Sequence, residues 1–153
     1  MTAPKFPTLD EVLKYTNIHV IRRYEHDFHD NKLSSKDAFR EMLKFLWCAE
    51  KLRRDKQADP ANTDLDFTFF LHHEMREIDD MWHTFILFTK DYMEFGMRYF
   101  GHYVHHAPTT DEEKSEMKLD KENMTEQDKK QLSYIYDNLG KKTLEVWFAE
   151  CLK

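Results

Sequence analysis

The sequence has few of the residues that β-rich and secreted proteins depend on. Of its 153 residues only three are glycine and four are proline, too few turn-formers for a β protein that reverses direction about every 8–12 residues. Only two cysteines occur, Cys48 and Cys151, so no disulfide framework is expected. No run of about 18 apolar residues occurs, which excludes a transmembrane helix. These absences favour an all-α protein.

Charge and the amino-terminal residues indicate the compartment and the class of partner. The stretch from Met1 to Asp10 lacks a basic start followed by an apolar run, so we expect no signal peptide and a cytoplasmic protein without membrane attachment. The chain carries 23 basic and 29 acidic side chains, a formal charge of −6. Because no basic block occurs, nucleic acid is not the expected partner. An unidentified protein or a small molecule is expected instead.

Helix boundary signals recur along a chain that is apolar enough to fold. Hydrophobic residues make up 41% and aromatic residues 14% of it, too much for a disordered protein. Thr8, Ser34 or Ser35, and Thr125 precede amphipathic stretches as N-caps do, while Gly101 and Gly140 follow such stretches. The sequence predicts a single compact all-α domain of five to seven helices over residues 1–153.

Two long segments have contrasting character. From about Leu65 to Lys90, apolar residues recur at helical spacing and predict the core helix. Residues 107–124 turn polar and acidic and predict a mobile loop. Cys48 lies on the apolar side of a predicted helix, so we expect a buried, inert thiol.

The histidines give the only functional lead. His72, Arg76, Asp79 and His83 follow one another at spacings of four, three and four, which places them on one face of a helix. His105 and His106 come a few residues after Gly101. Imidazole and carboxylate ligands with an open position suit zinc or non-haem iron. We therefore predict a metal site whose ligands are Asp79, His83 and one or both of His105 and His106. The predicted lining is Trp82, Arg76, Tyr92, Phe100 and His72.

Two functions remain open for this site. In the first, a metal-dependent enzyme acts on a small molecule or peptide. In the second, the same Asp and His side chains form a structural hydrogen-bond network in a non-enzymatic interaction module. Either the acidic stretch from Asp111 to Glu122 then contacts a basic partner, or the aromatic helix faces bind a protein. A third and weaker hypothesis is a pH-responsive switch, because the chain holds nine histidines and histidine titrates near neutral pH.

A longer motif surrounds the same residues. The stretch DDMWHTFIL from Asp79, then Tyr92, the F-G at 100–101 and HHAP from His105 resemble the glycine-rich domain-containing protein-like family, found as short bacterial proteins and within longer plant proteins. Its pattern D-x-x-W-H maps to Asp79, Trp82 and His83, and H-H-x-P maps to His105, His106 and Pro108. The resemblance implies important positions and no particular reaction. The position of Gly96 is often cysteine in the bacterial relatives, so no thiol role transfers, and the glycine-rich tail is absent.

Overall fold

The computed structural model describes residues 5–106 and 122–148. Within those ranges it contains no strand and seven α-helices: α1 Leu9–Leu13, α2 Ile18–Asp27, α3 Ser35–Ala58, α4 Arg76–Leu87, α5 Thr89–Phe100, α6 Glu126–Leu139 and α7 Lys141–Phe148. Two short 3₁₀ helices cover Thr63–Leu65 and His73–Met75. The all-α prediction with five to seven helices is confirmed.

The described residues form two compact units. One comprises residues 5–47 and 77–106, and the other comprises residues 48–76 and 122–148. The division falls inside α3 and directly after the first residue of α4. The predicted domain extent, 1–153, stays a prediction, and most of the predicted acidic loop at 107–124 lies outside the described residues.

The predicted helix boundaries carry the expected local chemistry. Thr8 and Thr125 each cap a helix through a reciprocal capping box with the acidic residue three positions later. The Ser34 hydroxyl oxygen accepts a hydrogen bond from the backbone N–H of the third residue after it. Gly101 ends α5 in the left-handed conformation, at φ 79°, and Gly140 follows α6 at φ 89°. Short polar side chains and glycine satisfy helix ends in these ways.

The core of the first unit is aromatic. Phe85 of α4 is fully buried and makes ring contacts with Tyr15, Phe39, Tyr92 and Phe95. Aromatic pairs of this kind add specific geometry to the burial of apolar area. They hold α4 against α5, and the candidate site lies on these two helices and the segment that follows them.

The second unit corrects the predicted core helix. That prediction, from Leu65 to Lys90, is wrong before Arg76, because residues 66–72 are not helical, and it is wrong at Phe88, which separates α4 from α5. The buried amide of Gln131 donates from Nε2 to the Phe70 carbonyl at 2.8 Å and accepts from the Phe70 N–H at 3.1 Å. Gln131 therefore pairs with the backbone much as a neighbouring strand would, and this tertiary contact outweighs the helical periodicity.

Helix α3 is the longest element, with 24 residues. Cys48 is fully buried on it, and burial raises the pKa of its thiol. The inert character predicted for Cys48 follows, since the thiolate is the reactive form. Among the helices of the described ranges, none is both long and apolar enough to cross a membrane.

Candidate metal centre

Three side chains of the first unit meet at one point. Asp79 and His83 lie one turn apart on α4, and His106 comes from the segment after α5. His106 Nε2 lies 2.9 Å from Asp79 Oδ1, and His83 Nδ1 lies 3.6 Å from Asp79 Oδ2. One ligand atom from each residue lies within 4.8 Å of the other two. Over residues 5–106 and 122–148, no other group of three His, Cys, Asp or Glu side chains comes so close.

The backbone after α5 selects His106 over His105. Residues 103–106 have no regular secondary structure, and burial alternates along them: Tyr103 and His105 are exposed, whereas Val104 is buried and His106 half-buried. Alternate residues of an extended segment point to opposite sides. The His105 ring accordingly contacts Tyr103, at a centroid distance of 5.0 Å. The structure thus brings Asp79, His83 and His106 together and places His105 on the opposite side.

Two of the predicted lining residues support His106. The Trp82 ring stacks on the His106 ring at a centroid distance of 3.8 Å and an interplanar angle of 7°. Trp82 Nε1 donates to Tyr92 Oη at 2.9 Å, and Tyr92 Oη donates to the Val104 carbonyl at 2.5 Å. A buried aromatic wall therefore closes one side of the cluster.

The other three predicted lining residues have different surroundings. Arg76 is exposed at the first position of α4. The Phe100 ring packs against the Phe6 and Phe95 rings. His72 belongs to the second unit, where its Nε2 lies 3.2 Å from Asp128 Oδ1. The prediction that His72 lies on the same helix face as Asp79 requires a continuous helix over residues 65–90, and the structure has none.

The donor atoms are of the types that a transition-metal ion prefers, and they lie close together. Bonds of about 2.0–2.1 Å to a tetrahedral ion place ligand atoms about 3.3 Å apart. In the structure the two short separations involve different carboxylate oxygens, 2.9 Å from Asp79 Oδ1 to His106 Nε2 and 3.6 Å from Asp79 Oδ2 to His83 Nδ1. A carboxylate oxygen accepts, so the His106 Nε2–H donates to Asp79, and an ion would replace that proton.

His83 is the ligand that must move for all three residues to bind one ion. Its ring lies 4.6 Å from the His106 ring, with 16° between the planes. A nitrogen lone pair lies in the ring plane, so two nearly parallel rings cannot both aim at one ion. The His83 side chain is 57% exposed and the His106 side chain only 10%. His83 can therefore turn toward an ion while His106 stays packed.

One family model covers the whole cluster. Residues 67–136 match the family described as UCP032817-like, a stretch of just under half the chain that includes Asp79, His83 and His106. The match shows what this stretch is similar to, and the description names no activity. It does not bear on the resemblance to the glycine-rich domain-containing protein-like family, which stays a prediction. No curated protein and no solved structure matches the chain.

Proposed function

We propose that this protein binds a divalent transition-metal ion, zinc or iron, through Asp79, His83 and His106 and is a metal-dependent enzyme acting on a small molecule or peptide. The observation that carries the proposal is the meeting of one carboxylate and two imidazoles, with a ligand atom of each within 4.8 Å of the others. Structural zinc sites have four protein ligands, whereas three ligands leave a position for water or substrate. Two histidines and one carboxylate are also the ligand set of non-haem Fe(II) oxygenases.

The surroundings of the cluster support an accessible, chemically active ion. Trp82 and the aromatic wall shield His106, while the His83 side is open to solvent. A substrate would therefore approach from the His83 side. The formal net charge of −6 supports a substrate or partner other than nucleic acid. The low cysteine content supports a cytoplasmic location.

Elemental analysis of untagged protein tests the metal half of the proposal. We expect about one equivalent of zinc or iron per chain, lost in H83A and in D79N. Added zinc should also raise the melting temperature of the metal-free protein. At a free zinc concentration about 100 times the Kd the gain is about 2.7 kcal/mol, and a chain of this size shifts by roughly 2–4 °C per kcal/mol.

A second His–Asp pair provides the matched control. His26 Nδ1 lies 2.9 Å from Asp27 Oδ1 on the exposed side of α2, and no group of three possible ligands in the described ranges includes this pair. The variants H26A and D27N should retain the metal. The proposal fails if wild-type protein holds no stoichiometric metal and zinc leaves its melting temperature unchanged.

The enzymatic half requires its own measurement. Metal-loaded protein should turn over a member of a panel of esters, phosphoesters, peptides or oxidisable small molecules. Chelation and H83A should both abolish that turnover, and H26A should not. Stoichiometric metal without any turnover across such a panel would limit the site to binding.

The cluster as it stands also favours a second candidate function, an interaction module without a metal. Without a metal ion, Asp79 already has a hydrogen-bond partner in His106, and the His106 ring already stacks on Trp82. In that case H106A should lower the free energy of unfolding by about 1–3 kcal/mol, whereas H83A, whose side chain is 57% exposed, should change no metal content. The metal analysis of H83A therefore separates the two candidates.

A further inference from the structure

We propose that Tyr92 and Gly96 are positioning residues that hold the ligand His106 in the metal centre. This inference rests on the proposed function, and it concerns the two α5 residues that fix the chain just before His106. Neither residue belongs to the donor set.

The need for such residues follows from where His106 lies. Asp79 and His83 are held by the hydrogen bonds of α4, whereas residues 103–106 form no helix or strand of their own. A single-residue backbone movement or twist here would turn His106 away from Asp79. Ligand placement therefore depends on contacts that residues 102–104 make with the helices beneath them.

Gly96 provides the first contact. The segment lies so close to α5 that a Cβ at position 96 would be 2.6 Å from the His102 carbonyl oxygen and 3.5 Å from the Val104 nitrogen. Both atoms belong to the backbone, so no side-chain rotation can relieve the closer contact. Glycine is thus the residue that permits this approach.

Tyr92 provides the second contact, one helical turn earlier on α5. Its ring is buried, with 1% exposure. Its hydroxyl donates to the Val104 carbonyl and accepts from Trp82 Nε1. One hydroxyl therefore joins the segment that carries His106 to the ring on which His106 stacks.

Together these contacts define the geometry of the ligand. His102 and Val104 are held against α5, and residue 106 lies on the same side of the segment as residue 104. Trp82 then meets the His106 ring face to face, which leaves Nε2 at 2.9 Å from Asp79. Partners that orient a metal ligand typically account for 10–100-fold in metal affinity.

The test compares Y92F with the matched variant Y134F. Tyr134 is also buried, and its hydroxyl donates to Asp55 Oδ2 at 2.7 Å in the other unit. Each change deletes one buried hydroxyl and keeps the ring. Zinc affinity, measured by competition with a chromogenic chelator, should fall by about tenfold or more in Y92F and stay at the wild-type value in Y134F.

A second readout does not depend on metal. Because the His106 ring stacks on Trp82, its ring-proton resonances should lie upfield in the NMR spectrum of the metal-free protein. In Y92F these resonances should move toward the values of an unstacked histidine, and in Y134F they should not. A merely structural loss of stability would not produce that selective shift.

The two readouts separate the possible failures. If wild-type protein binds no zinc but the His106 resonances move in Y92F, the proposed function fails and the positioning role stands. If wild-type protein binds zinc while Y92F matches Y134F in both readouts, the positioning role is overturned. G96A provides an independent variant and should change both readouts in the same direction, because the His102 carbonyl must move away.

Discussion

The two units each contain a histidine–carboxylate pair, and the second carboxylate oxygen distinguishes them. In the first unit, His106 lies 2.9 Å from Asp79, and the other Asp79 oxygen faces His83. In the second unit, His72 lies 3.2 Å from Asp128, whose other oxygen accepts from the backbone N–H of Thr125, the residue that caps α6. The second oxygen of Asp79 therefore faces another imidazole, whereas the second oxygen of Asp128 accepts a hydrogen bond that caps a helix.

Burial reinforces the difference. The His72 side chain is only 2% exposed, and its ring packs edge-on against Phe148. Its Nδ1 has no hydrogen-bond partner among the described residues, and no group of three possible metal ligands within them includes His72. A His–Asp pair with a similar N···O distance can therefore stabilise the fold in one unit and present ligand atoms in the other.

Removing His72 should give the largest effect on stability. H72A leaves a cavity beside Phe148 and an Asp128 oxygen without its partner, so the free energy of unfolding should fall by about 2–4 kcal/mol. Urea denaturation measures this loss. The exposed neighbour His73 is the control, since H73A should stay within about 0.5 kcal/mol of wild type. A small loss in H72A, or an accompanying loss of bound metal, would break the contrast between the two pairs.

Removing the Gln131 side chain should give the second-largest loss of stability. Q131A leaves the Phe70 N–H and carbonyl without their partner, so unfolding should become easier by about 1–3 kcal/mol. Hydrogen exchange should show the Phe70 amide losing protection. Gln127 is the control, because it is exposed and lies 3.4 Å from the Thr68 nitrogen. Equal effects of Q127A and Q131A would contradict the view that the buried amide holds residues 66–72.

Removing His83 should barely change the stability of the metal-free protein. Its side chain is largely exposed and lies 3.6 Å from Asp79, and exposed pairs contribute about 0–1 kcal/mol. Urea denaturation of metal-free H83A should therefore match wild type within about 0.5 kcal/mol. A cost as large as that of H72A would make the first pair structural as well.

The exposed pair His26–Asp27 should give the smallest effect. The His26 hydrogen bond, followed by that of Arg23, holds the pKa of Asp27 below its ordinary 3.8. A carboxyl whose pKa is lowered by folding stabilises the fold at pH values above its ordinary pKa. That stabilisation is lost as the pH falls through the pKa of the folded state. In H26A the pKa of Asp27 should rise toward 3.8, as a carboxyl NMR titration would show. An unchanged titration would assign the shift to Arg23 alone.

The sequence predicted most of what local chemistry determines. Thr8, Thr125 and Gly101 mark helix ends because a side-chain oxygen or a left-handed residue satisfies the helix locally. The Asp79–His83 spacing likewise placed two possible ligands on one helix face before any fold was known.

Long-range contacts account for the rest. Residues 66–72 are non-helical because Gln131, sixty-one positions after Phe70, forms hydrogen bonds with the Phe70 backbone N–H and carbonyl. That contact removes His72 from the face of Asp79, which periodicity could not reveal. The choice of His106 over His105 depends on the direction in which the chain leaves Gly101, which the sequence Tyr-Val-His-His at 103–106 does not indicate.

X-ray absorption spectroscopy at the metal edge of purified, untagged protein tests the site most directly. The spectrum should show two imidazoles and further oxygen ligands at about 2.0–2.1 Å, without sulfur, and purified H83A should give no metal edge above background because it has lost the ion. A sulfur shell, a shell without imidazole, or an H83A spectrum identical to wild type would contradict a centre built from Asp79, His83 and His106.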